Sequence, residues 1–155
     1  MATQPVEAIP PLQTTPAFAN PGGQLATIPF SSCAHLLRTH HVGRVGFVED
    51  GTVTMLPVNY AYIAESIVFR SAPGAKVDHA ERAGAMSFEI DGWDDDAKVG
   101  WSVLAKGVGE VVTDDWLTDM FDYLGAVPWL NDVPRDEWVR IRVATITGRR
   151  IEPSD

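Results

Sequence analysis

Short runs in which apolar and polar residues alternate recur from residue 42 to residue 151, and this pattern constrains the fold most. Val45 and Phe47, for example, alternate with Arg44 and Gly46. A period of two is typical of β-strands with one buried face, because successive side chains point to opposite sides. The six runs are residues 42–47, 53–60, 66–70, 86–90, 100–112 and 138–143, and residues 146–151 extend or follow the last one. Six antiparallel strands with short helices between them predict a mainly β fold, a closed or partly closed barrel.

Turn and helix signals separate these runs. Asp50-Gly51 predicts a two-residue hairpin turn, and Gly107 with Gly109 indicates a bend or bulge at a barrel corner. Helical spacing of apolar residues predicts three short helices, which begin near Ser31 or Ser32, near Lys76 and near Asp114.

The first 29 residues differ in composition from the rest of the chain. They hold six of the eleven prolines, the pair Gly22-Gly23 and almost no charge. Proline and glycine at this density do not sustain a helix or a central strand. We expect residues 1–29 to form a flexible or draped arm and residues 30–155 to form one folded domain.

Charge and hydropathy exclude several classes of partner. The net charge is −9, and the 12 lysines and arginines are spread along the chain, so nucleic acid and anionic membranes are not expected partners. No run approaches the roughly 20 apolar residues that span a bilayer, and no secretory signal is indicated. Cys33 is the single cysteine and is expected to pack in the core. These features predict a cytoplasmic protein.

The segment from Phe69 to Lys76 carries the strongest chemical signal, because it ends a strand, turns at Gly74 and opens a helix. Arg70 offers a planar guanidinium, Ser71 a hydroxyl donor, and Lys76 a point charge near a helix N-terminus. This combination indicates a phosphate-binding cradle. The alternative is an ordinary strand-to-helix loop with solvated basic residues.

Several segments in fixed order resemble a known family. They are GRVGFVEDGTVTMLPVNYAYIAESIVFRSAPGAKVDHA, MSFEID, GWSVLAKGVGEVV and WVRIRVATITGRRI. Together they resemble the pyridoxamine 5′-phosphate oxidase-like family of flavin-nucleotide-binding proteins, over about residues 30–151. The resemblance implies a six-stranded antiparallel split β-barrel that binds FMN, and a homodimer with its flavin sites at the subunit interface.

The resemblance also implies roles for individual residues. Arg70, Ser71 and Lys76 would contact the flavin phosphate. The other cofactor-binding positions are Pro57, Val58 and Asn59 along the isoalloxazine ring, and Trp101 and Ser102 near the ring or ribityl chain.

Departures from the family pattern narrow the expected activity. The chain ends ITGRRIEPSD and has no histidine after His79, which speaks against classical pyridoxamine 5′-phosphate oxidation. The strand at Leu56 to Asn59 lacks the histidine of nitroimidazole-resistance relatives. The leading hypothesis is an FMN-dependent oxidoreductase that acts on a small-molecule substrate or electron donor, with no acid or base residue assigned.

Two alternatives remain open. One is a reductase that uses a deazaflavin, whose long anionic tail would contact Arg44, Lys106 and Arg140. The other is a flavin-binding carrier or sensor without turnover. No metal site is predicted, because His40 and His41 are interpreted as a helix-end feature and the acidic run Asp91–Asp96 as a solvated loop.

Overall fold

The computed structural model describes residues 23–124 and 137–152. These ranges contain eight strands and three helices. In chain order they are β1 Gln24–Ile28, α1 Phe30–Thr39, β2 Val42–Glu49, β3 Thr52–Asn59, β4 Ala61–Ile63, β5 Ser66–Ser71, α2 Ala75–Glu81, β6 Ala85–Asp94, β7 Val99–Val112, α3 Asp115–Tyr123 and β8 Glu137–Glu152. In these described ranges, none of the helices has the length and apolar character needed to cross a bilayer.

The strands form one antiparallel sheet in the order β3-β2-β6-β7-β8-β5-β4. On the edge of β8 that faces away from β7, β5 pairs with residues 137–142 and β1 with residues 148–152. The sheet curls until β3 contacts β5, without a ladder of paired residues between them. The result is an antiparallel half-barrel with three short helices, which confirms the predicted split-barrel class.

Two strands were missing from the sequence prediction. β4 has only three residues, too few for a period of two to register. β1 lies within residues 1–29, which were predicted to form an arm. Residues 24–28 instead form an edge strand that pairs with β8. These five residues contain no proline, and Ile28 is buried against Cys33, whose thiol donates to the Ile28 carbonyl. Residues 1–22 of the predicted arm lie outside the described residues.

The predicted turn and bulge are confirmed. Asp50 and Gly51 have φ values of 48° and 75°, the left-handed backbone that a two-residue hairpin needs. The pairing of β7 with β8 shifts register between Lys106 and Gly107. A β-carbon on Gly107 would lie 2.0 Å from the Arg142 carbonyl oxygen, so only glycine fits at this crossing.

The helices begin close to their predicted starts. α1 starts at Phe30, and its N-cap is Pro29, which has no side-chain acceptor and whose carbonyl accepts the amides of Ser32 and Cys33 at 3.0 Å. The predicted caps, Ser31 and Ser32, lie inside the helix. α3 is capped by Asp114, whose carboxylate accepts the Leu117 amide at 3.2 Å.

Buried side chains form two clusters on opposite faces of β5. The main core inside the barrel includes Phe69, together with residues of α1 and α2. The second cluster lies outside the barrel, where Phe121 of α3 packs on Val68, Val112 and Trp138. α3 is therefore anchored on the outer side of β5 and β8.

Candidate functional site

The segment predicted to form a phosphate cradle lies at the end of β5. Arg70 and Ser71 are the last two residues of the strand, and Lys76 lies half-buried in the first turn of α2. Gly74 has a φ of 153°, which side-chain-bearing residues rarely adopt, and this lets the chain turn directly into the helix. The strand and the turn thus bring the three predicted residues to one end of the barrel.

Arg70 has an unusual environment. It lies on the outer face of β5, directly opposite Trp138 of β8, and its guanidinium carbon lies 5.4 Å from the centre of the Trp138 ring. Its Nη1 donates to Oδ1 of Asp122 on α3 at 3.4 Å. Its Nε is buried and has no hydrogen-bond partner within residues 23–124 and 137–152. A buried donor without an acceptor costs about 1–3 kcal/mol, so an anionic oxygen placed at Nε would relieve that cost.

The Ser71 side chain stabilises the loop that follows β5. Successive strand residues point to opposite faces, so Ser71 lies on the other side of β5 from Arg70. It is 3% exposed, and its hydroxyl donates to the Ala72 carbonyl oxygen at 2.9 Å. This bond stabilises the turn that leads to α2. It also occupies the hydroxyl proton of Ser71, which was predicted to be donated to a phosphate.

The β3 residues lie on the strand that closes toward β5. β3 is at one end of the sheet, where Pro57 is exposed and Asn59 is half-buried. The Val58 side chain belongs to the main core, so a ligand outside the barrel could reach only its backbone. Of the three predicted ring contacts on β3, only Pro57 and Asn59 have side chains that can face such a ligand.

A row of paired residues crosses the outer face of the sheet. Pro57 pairs with Arg44, Arg44 with Glu89, and Glu89 with Leu104. Ser102 follows two residues before Leu104 on β7 and therefore points to the same face. Pro57 and Ser102 thus share one surface, four strands wide, with an ionic group between them.

That ionic group is centred on Arg44. Its Nη1 lies 2.9 Å from Oε2 of Glu89 and 3.0 Å from Oδ1 of Asp91. The hydrogen bonds that Arg44 donates to Asp91 and Glu89 raise its pKa. Burial, and then the charge of Asp91, raise the pKa of Glu89, while Arg44 opposes both. The group holds Arg44 against the sheet.

Arg140, another cation assigned to a deazaflavin tail, is also paired. Its Nη2 lies 2.9 Å from Oε2 of Glu110. Lys106, the third, is exposed. Two of the three cations therefore already have carboxylate partners. This weakens the prediction that they bind the anionic tail of a deazaflavin.

Trp101 faces away from Ser102. Its ring meets the His40 ring edge to face, with centroids 4.9 Å apart, in a cleft of about 760 Å³ between α1 and the end of the β6–β7 hairpin. The exposed ring of Trp93 lies at the same cleft. The pair that the sequence analysis assigned to one ligand is thus divided between two faces of β7.

His40 behaves as predicted for a helix-end residue. It caps the C-terminus of α1, and its Nδ1 lies 2.8 Å from the Leu36 carbonyl oxygen, which makes Nδ1 the protonated nitrogen. Within the part of the chain that the structure describes, no three His, Cys, Asp or Glu side chains are grouped as a metal would require.

The sequence analysis missed Asp122 and Trp138 as neighbours of Arg70. Trp138 is buried, at 3% exposure. Its position opposite Arg70 depends on the pairing of β5 with β8, which are distant in sequence, and no local pattern encodes that pairing.

The half-barrel and its strand order define the class of protein as a split barrel of the pyridoxamine 5′-phosphate oxidase-like kind. A family model described as pyridoxamine 5′-phosphate oxidase matches residues 31–150. The chain belongs to this family.

Individual relatives are similar over most of the chain. An uncharacterized protein of Mycobacterium tuberculosis is 31% identical over 121 residues, which cover 75% of this chain and 78% of that relative. The structure of the FAD binding protein from Mycobacterium smegmatis is 30% identical, with a TM-score of 0.67, and the match covers 81% of this chain and 98% of that one. A conserved protein of unknown function from Corynebacterium diphtheriae is 28% identical, with a TM-score of 0.65, over 82% of this chain and 98% of that one.

Proposed function

We propose that this protein is a flavin-nucleotide-dependent oxidoreductase that holds the flavin by its ribityl phosphate at Arg70 and Lys76. One observation carries the proposal: among the described residues, the buried Arg70 Nε has no hydrogen-bond acceptor, and Lys76 follows in the first turn of α2. Arginine binds phosphate with paired, charge-assisted hydrogen bonds. The residues present therefore fit a phosphate at this position.

The surroundings of the cradle support a flavin over other phosphate ligands. A flavin ring needs a flat surface with backbone donors and acceptors at its edge. The outer surface of β3, with Pro57 and Asn59, approaches the end of β5. Family membership and the FAD-binding relative from Mycobacterium smegmatis point the same way. The bound flavin would supply hydride or electron transfer, and the protein would orient it and exclude water.

FMN and FAD share the riboflavin 5′-phosphate that this cradle would bind. A deazaflavin is the less favoured ligand, because Arg44 and Arg140 each lie 2.9 Å from a carboxylate oxygen. The contact of Arg70 with Asp122 is longer, at 3.4 Å. We therefore propose FMN or FAD as the cofactor.

Flavin titration tests the cradle. Purified protein would be titrated with FMN, FAD, a deazaflavin and riboflavin, which lacks the phosphate, while flavin fluorescence is followed. We expect Arg70→Ala and Lys76→Ala each to weaken FMN binding about tenfold or more and to leave riboflavin binding unchanged. Arg82→Ala is the matched control, since Arg82 is an exposed cation at the other end of α2. Equal losses for FMN and riboflavin would contradict the phosphate assignment.

Turnover distinguishes an enzyme from a carrier. The flavin-loaded protein would be mixed anaerobically with NADH or NADPH, and bleaching of the flavin absorbance would be followed by reoxidation with a quinone. Reduction and reoxidation over many cycles are expected of the oxidoreductase. Flavin that binds and dissociates without being reduced by either donor would favour the carrier.

We also propose that the protein acts as a homodimer with the sites at its subunit interface. The outer surface of β2 and β3 exposes Val48, Val53 and Met55, with Val48 and Val53 directly paired. An exposed apolar group of this kind is typical of a protein interface. It continues along β3 into Pro57, so a partner seated on it would border the flavin site.

A further inference from the structure

We propose that Asp122 selects between flavin phosphates by competing for Arg70, and that it disfavours the dianionic phosphate of FMN relative to the diphosphate of FAD. This inference rests on the proposed function, since it assumes that a flavin phosphate occupies the cradle. Its basis is the position of one carboxylate beside the predicted phosphate ligand.

Asp122 is held beside Arg70 by the packing of α3. The preceding residue, Phe121, is 2% exposed, and its ring lies 5.3 Å from the ring of Trp138, over which Arg70 itself lies. The packing of Phe121 therefore places the backbone of Asp122 beside Arg70. Its Oδ1 lies 3.4 Å from Nη1 of Arg70, a long contact between side chains that are 52% and 30% exposed. A contact of this kind is weak enough for a ligand anion to compete with it.

The contact uses only part of the guanidinium. Nη1 donates to Asp122, and no residue in the described part of the chain accepts a hydrogen bond from the buried Nε. The Arg70 side chain is 30% exposed, so a phosphate oxygen could contact its exposed part while Asp122 remains in place. The phosphate and the carboxylate would then share one guanidinium, and they would repel each other across it.

The repulsion depends on the charge of the phosphate. The terminal phosphate of FMN carries a charge of about −1.5 to −2 at pH 7, whereas each phosphate of the FAD diphosphate carries a single negative charge. Arg70 and Lys76 supply two positive charges, and the negative charge of Asp122 offsets one of them. Asp122 would repel the additional negative charge of the FMN phosphate at short range. This repulsion should therefore weaken the binding of FMN more than the binding of FAD.

The experiment compares dissociation constants for FMN, FAD and riboflavin at pH 7.5 and constant ionic strength, using full-length protein. We expect Asp122→Asn to lower the FMN constant by about fivefold and the FAD constant by about twofold or less, and to leave riboflavin unchanged. The control is Asp119→Asn, which removes an exposed charge from the same helix. It should leave the ratio of the FMN and FAD constants as in the wild type. Asp122→Glu keeps the charge and should keep that ratio close to the wild-type value.

Two failures can be told apart. Equal changes for FMN and FAD in Asp122→Asn, or the same change in Asp119→Asn, would overturn the selection by Asp122 while wild-type flavin binding still depended on Arg70. Wild-type flavin binding that is indifferent to Arg70→Ala would overturn the cradle, and this inference with it. Circular dichroism melting of each variant checks that the fold is retained, and Asp122→Ser, which also removes the charge, supplies the comparison if Asp122→Asn does not fold.

Discussion

The phenolic hydroxyl of Tyr60 donates a hydrogen bond of 2.9 Å to the main-chain carbonyl oxygen of Leu37. Both side chains are buried, and the Tyr60 ring meets that of Phe88 with centroids 4.6 Å apart. Tyr60 stands between β3 and β4, so the bond ties α1 to the point where the chain leaves β3. It therefore helps to fix Asn59, the last residue of β3 and part of the candidate site.

Removing this hydroxyl should destabilise the protein. We expect Tyr60→Phe to lower the free energy of unfolding by about 1 kcal/mol, because one buried hydrogen bond is lost while the ring still packs. Chemical denaturation measures the change. Tyr123→Phe is the matched control, since Tyr123 is 89% exposed and its hydroxyl should contribute little. Equal effects of the two changes would contradict a specific role for the bond to Leu37.

The same burial predicts how stability changes at alkaline pH. Burial raises the pKa of Tyr60 well above its usual value, so the folded protein holds the phenolic proton more tightly than the unfolded chain does. Stability from this group is complete below about pH 10, the ordinary tyrosine pKa, and falls as the pH rises above it. Denaturation midpoints from pH 8 to 11 should drop less steeply in Tyr60→Phe. Some slope should remain, because burial, and then Glu65, also raise the pKa of Tyr62.

The sequence predicted the half-barrel well because the fold depends on local patterns. Alternation marks every long strand, and Asp50-Gly51 specifies its own turn. The misses have local causes as well. β4 is too short to show a period, and the prolines that bracket β1 hide a five-residue edge strand.

The candidate site was predictable only where it is continuous in sequence. Arg70 and Lys76 lie on one strand-turn-helix segment, the end of β5 and the first turn of α2. The partners of Arg70 come from α3 and β8, and no pattern near residue 70 could indicate them. The orientation of the Ser71 hydroxyl depends on its burial, which residue type alone does not specify.

Gly43 should be intolerant of any side chain. A β-carbon there would lie 2.2 Å from Cζ of the buried Phe88 ring and 2.9 Å from the Glu89 carbonyl oxygen. Overpacking of this kind costs about 1–3 kcal/mol, so Gly43→Ala should lower the free energy of unfolding by that amount. Gly46→Ala in the same strand is the control, because its nearest neighbour would be 3.8 Å away. A Gly43→Ala variant as stable as Gly46→Ala would contradict the close approach of Phe88.

The proposed dimer face makes a prediction about assembly. Val53 is 70% exposed on the outer surface of β3, so a charge at this position should cost the isolated protomer little. In a dimer that buries this face, the introduced carboxylate would lose its hydration and would have no cation to pair with, which is costly. We expect Val53→Asp to shift the protein from dimer to monomer in light scattering, and to weaken flavin binding if the site borders the interface. The matched control is Leu25→Asp, since Leu25 is 64% exposed on β1 and should tolerate the charge with no change in mass. A wild-type protein that is monomeric across the micromolar range would end the interface proposal, and a Val53→Asp variant that stays dimeric would show that the subunits meet through another surface.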